Sequence, residues 1–134
     1  PRRAPGTLFQ EYLQLIQEQQ LQYPRDLAKS LQLFFEFSAK QGPVYDKITT
    51  YGSYSGIRQQ MINTVMNKTW ATSAAFQQMA PFKQQLLLNF IEQTGLAIYV
   101  QWVKAGRKEE LATVIAYARA LMEGGVKQFL ELDE

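Results

Sequence analysis

The stretch from Pro81 to Lys104 constrains the fold most, because it is apolar on most of its sides while keeping helical spacing. At about 100° per residue, Leu87, Leu88, Ile91, Gly95, Ile98, Tyr99 and Trp102 fill one broad face, and Leu86, Phe90 and Ala97 fill a second. Only a narrow strip around Gln85, Asn89, Glu92 and Gln93 is polar. A helix of this kind is normally the buried centre of its domain, so the other elements are expected to pack around 81–104. Ile98 and Trp102 should then be buried, with Gln85 and Glu92 reaching solvent. Glu92 is also the acid best placed for partial burial and a raised pKa. Gly95 costs about 1 kcal/mol relative to alanine in a helix, which points to a close helix crossing. The polar and charged residues inside the stretch, Glu92 above all, argue against a membrane span.

The flanking segments carry the same period. Thr7 followed by Gln10 has the form of a capping box, opening a helix to about Gln22 with Phe9, Tyr12, Leu13 and Ile16 on its stripe. Tyr23-Pro24 breaks it, and Pro24 suits the first turn of a second helix bearing Leu27, Ala28, Leu31, Phe34 and Phe35. That helix is expected to stop at Gly42-Pro43. Residues 42–56 hold three glycines, a proline and scattered Ser/Thr, and are expected to form a long Tyr/Gly-rich loop. Ser55 then caps a third helix, with Ile57, Met61 and Val65 inward, and a short helix follows over about 72–79. The last helix is expected over about 107–131, its stripe of Leu111, Ile115, Ala118, Met122, Gly125, Phe129 and Leu132 staying in phase across Gly124-Gly125. No convincing strand pattern appears. The expected fold is one all-α domain over 1–134, a compact bundle of four main helices and one short one, preceded by a flexible tail over 1–6.

The chain contains neither cysteine nor histidine. A Cys/His zinc site, a thiol nucleophile, a Ser-His-Asp triad and a disulfide framework are thereby excluded. No EF-hand spacing or phosphate-cradling glycine motif is present, so neither a metal nor a cofactor is expected. The 14 basic and 12 acidic residues are scattered. Only Arg2-Arg3 is locally basic, so nucleic acid is not an expected partner. The seventeen glutamines are dispersed on helix faces rather than gathered in a tract.

Three groups of residues are candidate binding elements. Tyr45, Tyr51 and Tyr54 could make the 42–56 segment a recognition surface, since tyrosine offers large contact area with a polar tip. The alternative is a strap whose rings pack onto the bundle. Leu33 and Phe37 lie off the main stripe of the second helix, as Leu8 and Leu15 do on the first. They line either a second contact inside the fold or a groove for a partner helix. Asp26 and Lys83, each in a first helical turn, could grip an anion or a partner's terminus, or simply form an ion pair between elements.

Pro24-x-Asp26-Leu27-Ala28 with Phe34, then Ile57-Arg58, then Phe76-Gln77-x-Met79-x-Pro81-x-Lys83-Gln84, Gly95 and the closing Phe129-Leu130-Glu131-Leu132-Asp133 resemble an uncharacterised bacterial all-α family often found in exported proteins. The resemblance runs from Tyr23 onward and implies an all-α domain and an exported or periplasmic location, with no chemistry attached. The Tyr-rich segment at 44–54 is longer here than in that family. The expected function is a non-enzymatic protein-interaction domain with a protein partner or a second copy. A carrier for a small apolar ligand or lipid, with a pocket between helices, is the alternative. An enzyme working through carboxylate, lysine or tyrosine groups is the third reading, and no catalytic residue can be named for it.

Overall fold

In a computed structural model the described residues are 5–21 and 26–132, with backbone only at Pro5, Gly6 and Phe9. All regular elements among them are helical: α1 (Pro5–Glu18), α2 (Leu27–Ala39), α3 (Pro43–Thr50), α4 (Ser55–Trp70), α5 (Ala74–Gln77), α6 (Pro81–Lys104) and α7 (Leu111–Leu130). A short 3-10 turn over Gly52–Tyr54 joins α3 to α4. The expected break at Tyr23-Pro24, the residues before Pro5 and the Phe9 side chain lie outside what is described. Because α1 already includes Pro5 and Gly6, the expected tail is shorter than 1–6.

The all-α expectation holds, and α6 spans Pro81–Lys104 as its period indicated. Its C-terminus closes with a Schellman pair of bonds, Gly106 N–H to Val103 O at 3.0 Å and Arg107 N–H to Trp102 O at 2.9 Å. Gly106 takes φ +80° there, and Arg107 follows at +56°, where a Cβ is disfavoured. Residues 107–110 are thus used in the turn, and α7 begins at Leu111 rather than near 107. It then continues unbroken through Gly124-Gly125. Its buried line is Val114, Ala118, Met122 and Val126, which keeps Ala118 and Met122 of the expected stripe and has Val114 in place of Ile115 and Val126 in place of Gly125.

The 42–56 segment differs most from expectation. α2 stops at Ala39 with Lys40 as its C-cap, ahead of the expected Gly42-Pro43, and that pair instead opens α3, because Gly42 is extended and Pro43 occupies the first turn, where its missing N–H costs nothing. The β-branched run that follows is a poor helix former on propensity, and tertiary anchors override this. Ile48 and Thr49 are buried, and Arg58 of α4 donates to Ile48 O at 2.7 Å, covering a carbonyl at the negative end of α3.

The core falls into two clusters. Leu27, Leu31, Trp70, Phe76, Leu87, Leu88, Ile91, Met122 and Val126 pack together at one end. Phe35, Tyr99, Trp102, Val114 and Ala118 form the other. α6 contributes to both, as a central helix should. Its second apolar face does not pack inward, however: Phe82, Leu86 and Phe90 are exposed, at 74%, 44% and 44%. Burial of the main face alone was enough to seat the helix. Gly95 needs no close crossing, since a Cβ there would meet only Met122 Cε at 3.5 Å, an ordinary contact.

Candidate functional site

An apolar cavity of about 140 Å³ lies between α1, α2, α4 and α6, with Tyr45 of α3 at its edge. α1 contributes Leu8 and Tyr12, α2 contributes Ser30, Leu31, Phe34 and Phe37, α4 contributes Met61, Ile62, Val65 and Met66, and α6 contributes Ile91, Glu92, Gly95 and Leu96. The helical period explains the set. Positions 92 and 96 on α6, like 62 and 66 on α4, lie one turn apart on one side of each helix. Tyr12, Phe37 and Tyr45 form a run of rings, with centroids 5.2 Å apart for Tyr12–Phe37 and 6.3 Å for Phe37–Tyr45. Tyr12 also meets Phe34 edge-on at 6.3 Å.

Glu92 is the one acidic residue in this wall. It is 8% exposed, against the expectation that it would reach solvent. The α4 helix covers it, a contact that period analysis of α6 alone cannot show. Its Oε2 accepts from Gln59 Nε2 at 3.4 Å, a long bond, and Oε1 has no hydrogen-bond partner. Among the described residues this is the only buried side-chain oxygen or nitrogen so placed. Burial pushes the Glu92 pKa up, and the Gln59 bond only partly opposes that. No lysine or arginine lines the cavity. With no base beside it, Glu92 can accept or donate a hydrogen bond or meet a cation. The other titratable side chains in the wall are Tyr12 and Tyr45. No group of three or more acidic side chains among the described residues is arranged to hold a metal ion.

The sequence candidates separate into different places. Tyr45 belongs to the core: its hydroxyl lies 2.6 Å from Ser38 Oγ, and burial raises its pKa to about 12. Tyr51 is exposed and Tyr54 half-buried, and neither lines the cavity. The three tyrosines therefore do not form one surface, because the α3 helix turns the first inward. Leu33 is buried, and Phe37 is half-buried against Tyr12 and Tyr45. Leu33 thus serves an internal contact, whereas Phe37 lines the cavity. Leu8 is buried and Leu15 half-buried. Asp26 sits at the N-cap position of α2 without a side-chain capping bond. Lys83 Nζ donates to Leu132 O at 2.8 Å and lies 5.3 Å from the Phe129 ring centroid, so it ties α6 to the end of α7.

A polar tie that sequence reading missed stands at the other end of α6. Arg107 Nη2 donates to both carboxylate oxygens of Asp46, at 2.7 and 2.6 Å. The Tyr99 hydroxyl donates to Ser38 O at 3.0 Å and accepts from Arg107 at 3.3 Å. The guanidinium also lies 5.0 Å from the Trp102 ring centroid, within cation–π range. Burial and the Asp46 charge both raise the Tyr99 pKa. For Arg107, burial works against the charge, but the Asp46 bond and the Tyr99 and Asp46 fields outweigh it and the pKa rises. All its charges are matched, so this cluster locks α3 to α6 rather than offering a free site. Its members are 53 and 61 residues apart in sequence, and no local signal links them.

The chain matches no protein-family model, no curated protein and no solved structure.

Proposed function

We propose that the domain is a non-enzymatic binding module that takes a small apolar molecule in the cavity between α1, α2, α4 and α6. The observation that carries this reading is an apolar pocket of about 140 Å³, partly open to solvent and walled by aromatic rings and two methionines. Interiors normally pack to crystal density, and an apolar space near 150 Å³ is large enough to admit a benzene-sized ligand. This is the carrier reading, on a scale suited to a small molecule rather than a long lipid chain. Met61 and Met66 suit such a wall, because their flexible thioethers adapt to different shapes.

Neutral apolar probes test it. Ethylbenzene at millimolar concentration should shift the ε-methyl signals of Met61 and Met66, which line the cavity, while Met79 and Met122, which do not, stay in place. Unmoved Met61 and Met66 signals at saturating ethylbenzene would exclude the reading.

A second reading, contact with another protein, draws on a different face. Phe82, Leu86 and Phe90 of α6 are exposed, and so are Tyr117 and Leu121 of α7, at 61% and 63%. Phe90 Cζ lies 4.0 Å from the Cβ position of Gly125, so on this side the exposed residues of α6 adjoin α7 at Phe90. Contiguous exposed apolar residues of this kind mark interaction surfaces. A concentration series in analytical ultracentrifugation, repeated with Phe82→Glu, tests whether a second copy uses the face.

A further inference from the structure

Glu92 is the least satisfied polar group in the described core, and it lies in the wall of the apolar cavity. A buried carboxylate with one oxygen unpartnered costs far more than a hydrophobic residue of the same size. Its presence has a physical account if something outside the chain supplies the missing donor. We infer that the cavity takes a small primary amine with an aromatic or branched hydrocarbon body, its ammonium held by Glu92. This inference rests on the binding reading above and adds the ligand's charge and size.

The surroundings favour that chemistry over its rivals. The titratable side chains in the wall are Tyr12, Tyr45 and Glu92. None carries a positive charge, so a fatty acid or other anion would meet the carboxylate with nothing to neutralise it. An ammonium instead brings three donors and the opposite charge into a medium where ion pairing is stronger than in water. The rings of Tyr12, Phe34 and Phe37 add faces that favour a nearby cation. Gln59 does not occupy the carboxylate fully: its bond to Oε2 is 3.4 Å long, and its Nε2 also lies 2.9 Å from Asn63 Oδ1. Oε1 is sealed from solvent in the free protein. A turn about the last side-chain torsion, which is broad in glutamate, presents an oxygen to the cavity at little cost. The volume sets the size. A space near 140 Å³ holds one ring or a branched chain of about six to eight heavy atoms.

Three probes of nearly equal shape separate the possibilities: benzylamine, ethylbenzene and benzoate, titrated into the full chain while the Met61 and Met66 methyl signals are followed. Benzylamine should bind about tenfold or more tightly than ethylbenzene, the scale of a hydrogen bond to a charged group, and benzoate most weakly. In Glu92→Gln the benzylamine preference should fall to near parity while ethylbenzene binding persists, which also shows that the variant is folded. Leu96→Trp, which fills the cavity from a half-buried position, should abolish both. Equal binding of benzylamine and ethylbenzene to the native chain overturns the amine inference and leaves the apolar pocket standing. A benzylamine preference that survives Glu92→Gln overturns it as well. If neither probe moves Met61 or Met66, both the inference and the binding reading fail.

Discussion

Replacing Glu92 by methionine should make the free protein more stable. The native side chain is buried, with Oε1 unpartnered and Oε2 held by one bond of 3.4 Å. An unsatisfied buried polar group costs about 1–3 kcal/mol, and methionine has nearly the same length and no polar oxygen. Against this stands the loss of the Gln59 contact, which is small because Gln59 keeps its bond to Asn63. A net gain of about 1–2 kcal/mol remains. For 134 residues the unfolding entropy near the midpoint is about 0.28 kcal/mol/K, so Tm should rise by about 4–7 °C at pH 7. The gain should also depend on pH in a definite direction. The folded-state pKa of Glu92 is raised, so the folded protein holds this proton more tightly than the unfolded chain does. Native stability therefore falls as pH climbs from the unfolded value of about 4.3 through the higher folded value. Glu92→Met lacks that fall, and its advantage should shrink as pH drops to about 4. Thermal unfolding followed by far-UV circular dichroism at both pH values measures this. A variant less stable than the native chain at pH 7, or one whose advantage is the same at both pH values, would falsify the account of Glu92 as an unmet group.

Other substitutions probe the scaffold. Gly95→Ala should stabilise by about 0.5–1 kcal/mol in a denaturant titration, because the added methyl makes only an ordinary contact with Met122; destabilisation would mean that the crossing is tighter than 3.5 Å implies. Arg107→Gly should be more stable than Arg107→Ala by about 1 kcal/mol, since only alanine bears the cost of φ +56°, while both lose the Asp46 tie. Leu87→Ala, at a 2% exposed site, should cost about 2–5 kcal/mol, and Ile98→Ala, at a half-buried one, about 1–2. Equal losses at 87 and 98 would show that both sit in the core. Tyr45 ionises only near pH 12, so native stability should decline between about pH 10 and 12, and Tyr45→Phe should flatten that decline.

Much of the helical architecture was legible because it depends on local order in the chain. The limits of α6 follow from Pro81 and from the glycine after Lys104, and α7 passes Gly124-Gly125 because its apolar phase is uninterrupted. Periodicity reports which residues share a side of a helix, but not which neighbour covers that side. For this reason the second apolar face of α6 was expected inside and is exposed, whereas Glu92, expected at the solvent edge with partial burial and a raised pKa, is buried under α4 and has the raised pKa. The α3 helix was hidden by composition: glycine, proline and β-branched residues read as a loop, and Ile48, Tyr45 and the reach of Arg58 supply its stability from outside the segment. The cavity is still further from the sequence. Its wall draws on five helices, and the void is a shortfall of side-chain volume that no single helix records. The sequence by itself determined an all-helical chain with no thiol or imidazole chemistry, since those follow from residue identity and spacing. Tertiary packing alone decided that Asp46, Tyr99 and Arg107 meet, and that one carboxylate is left in an apolar wall, because both depend on contacts between residues distant in the chain.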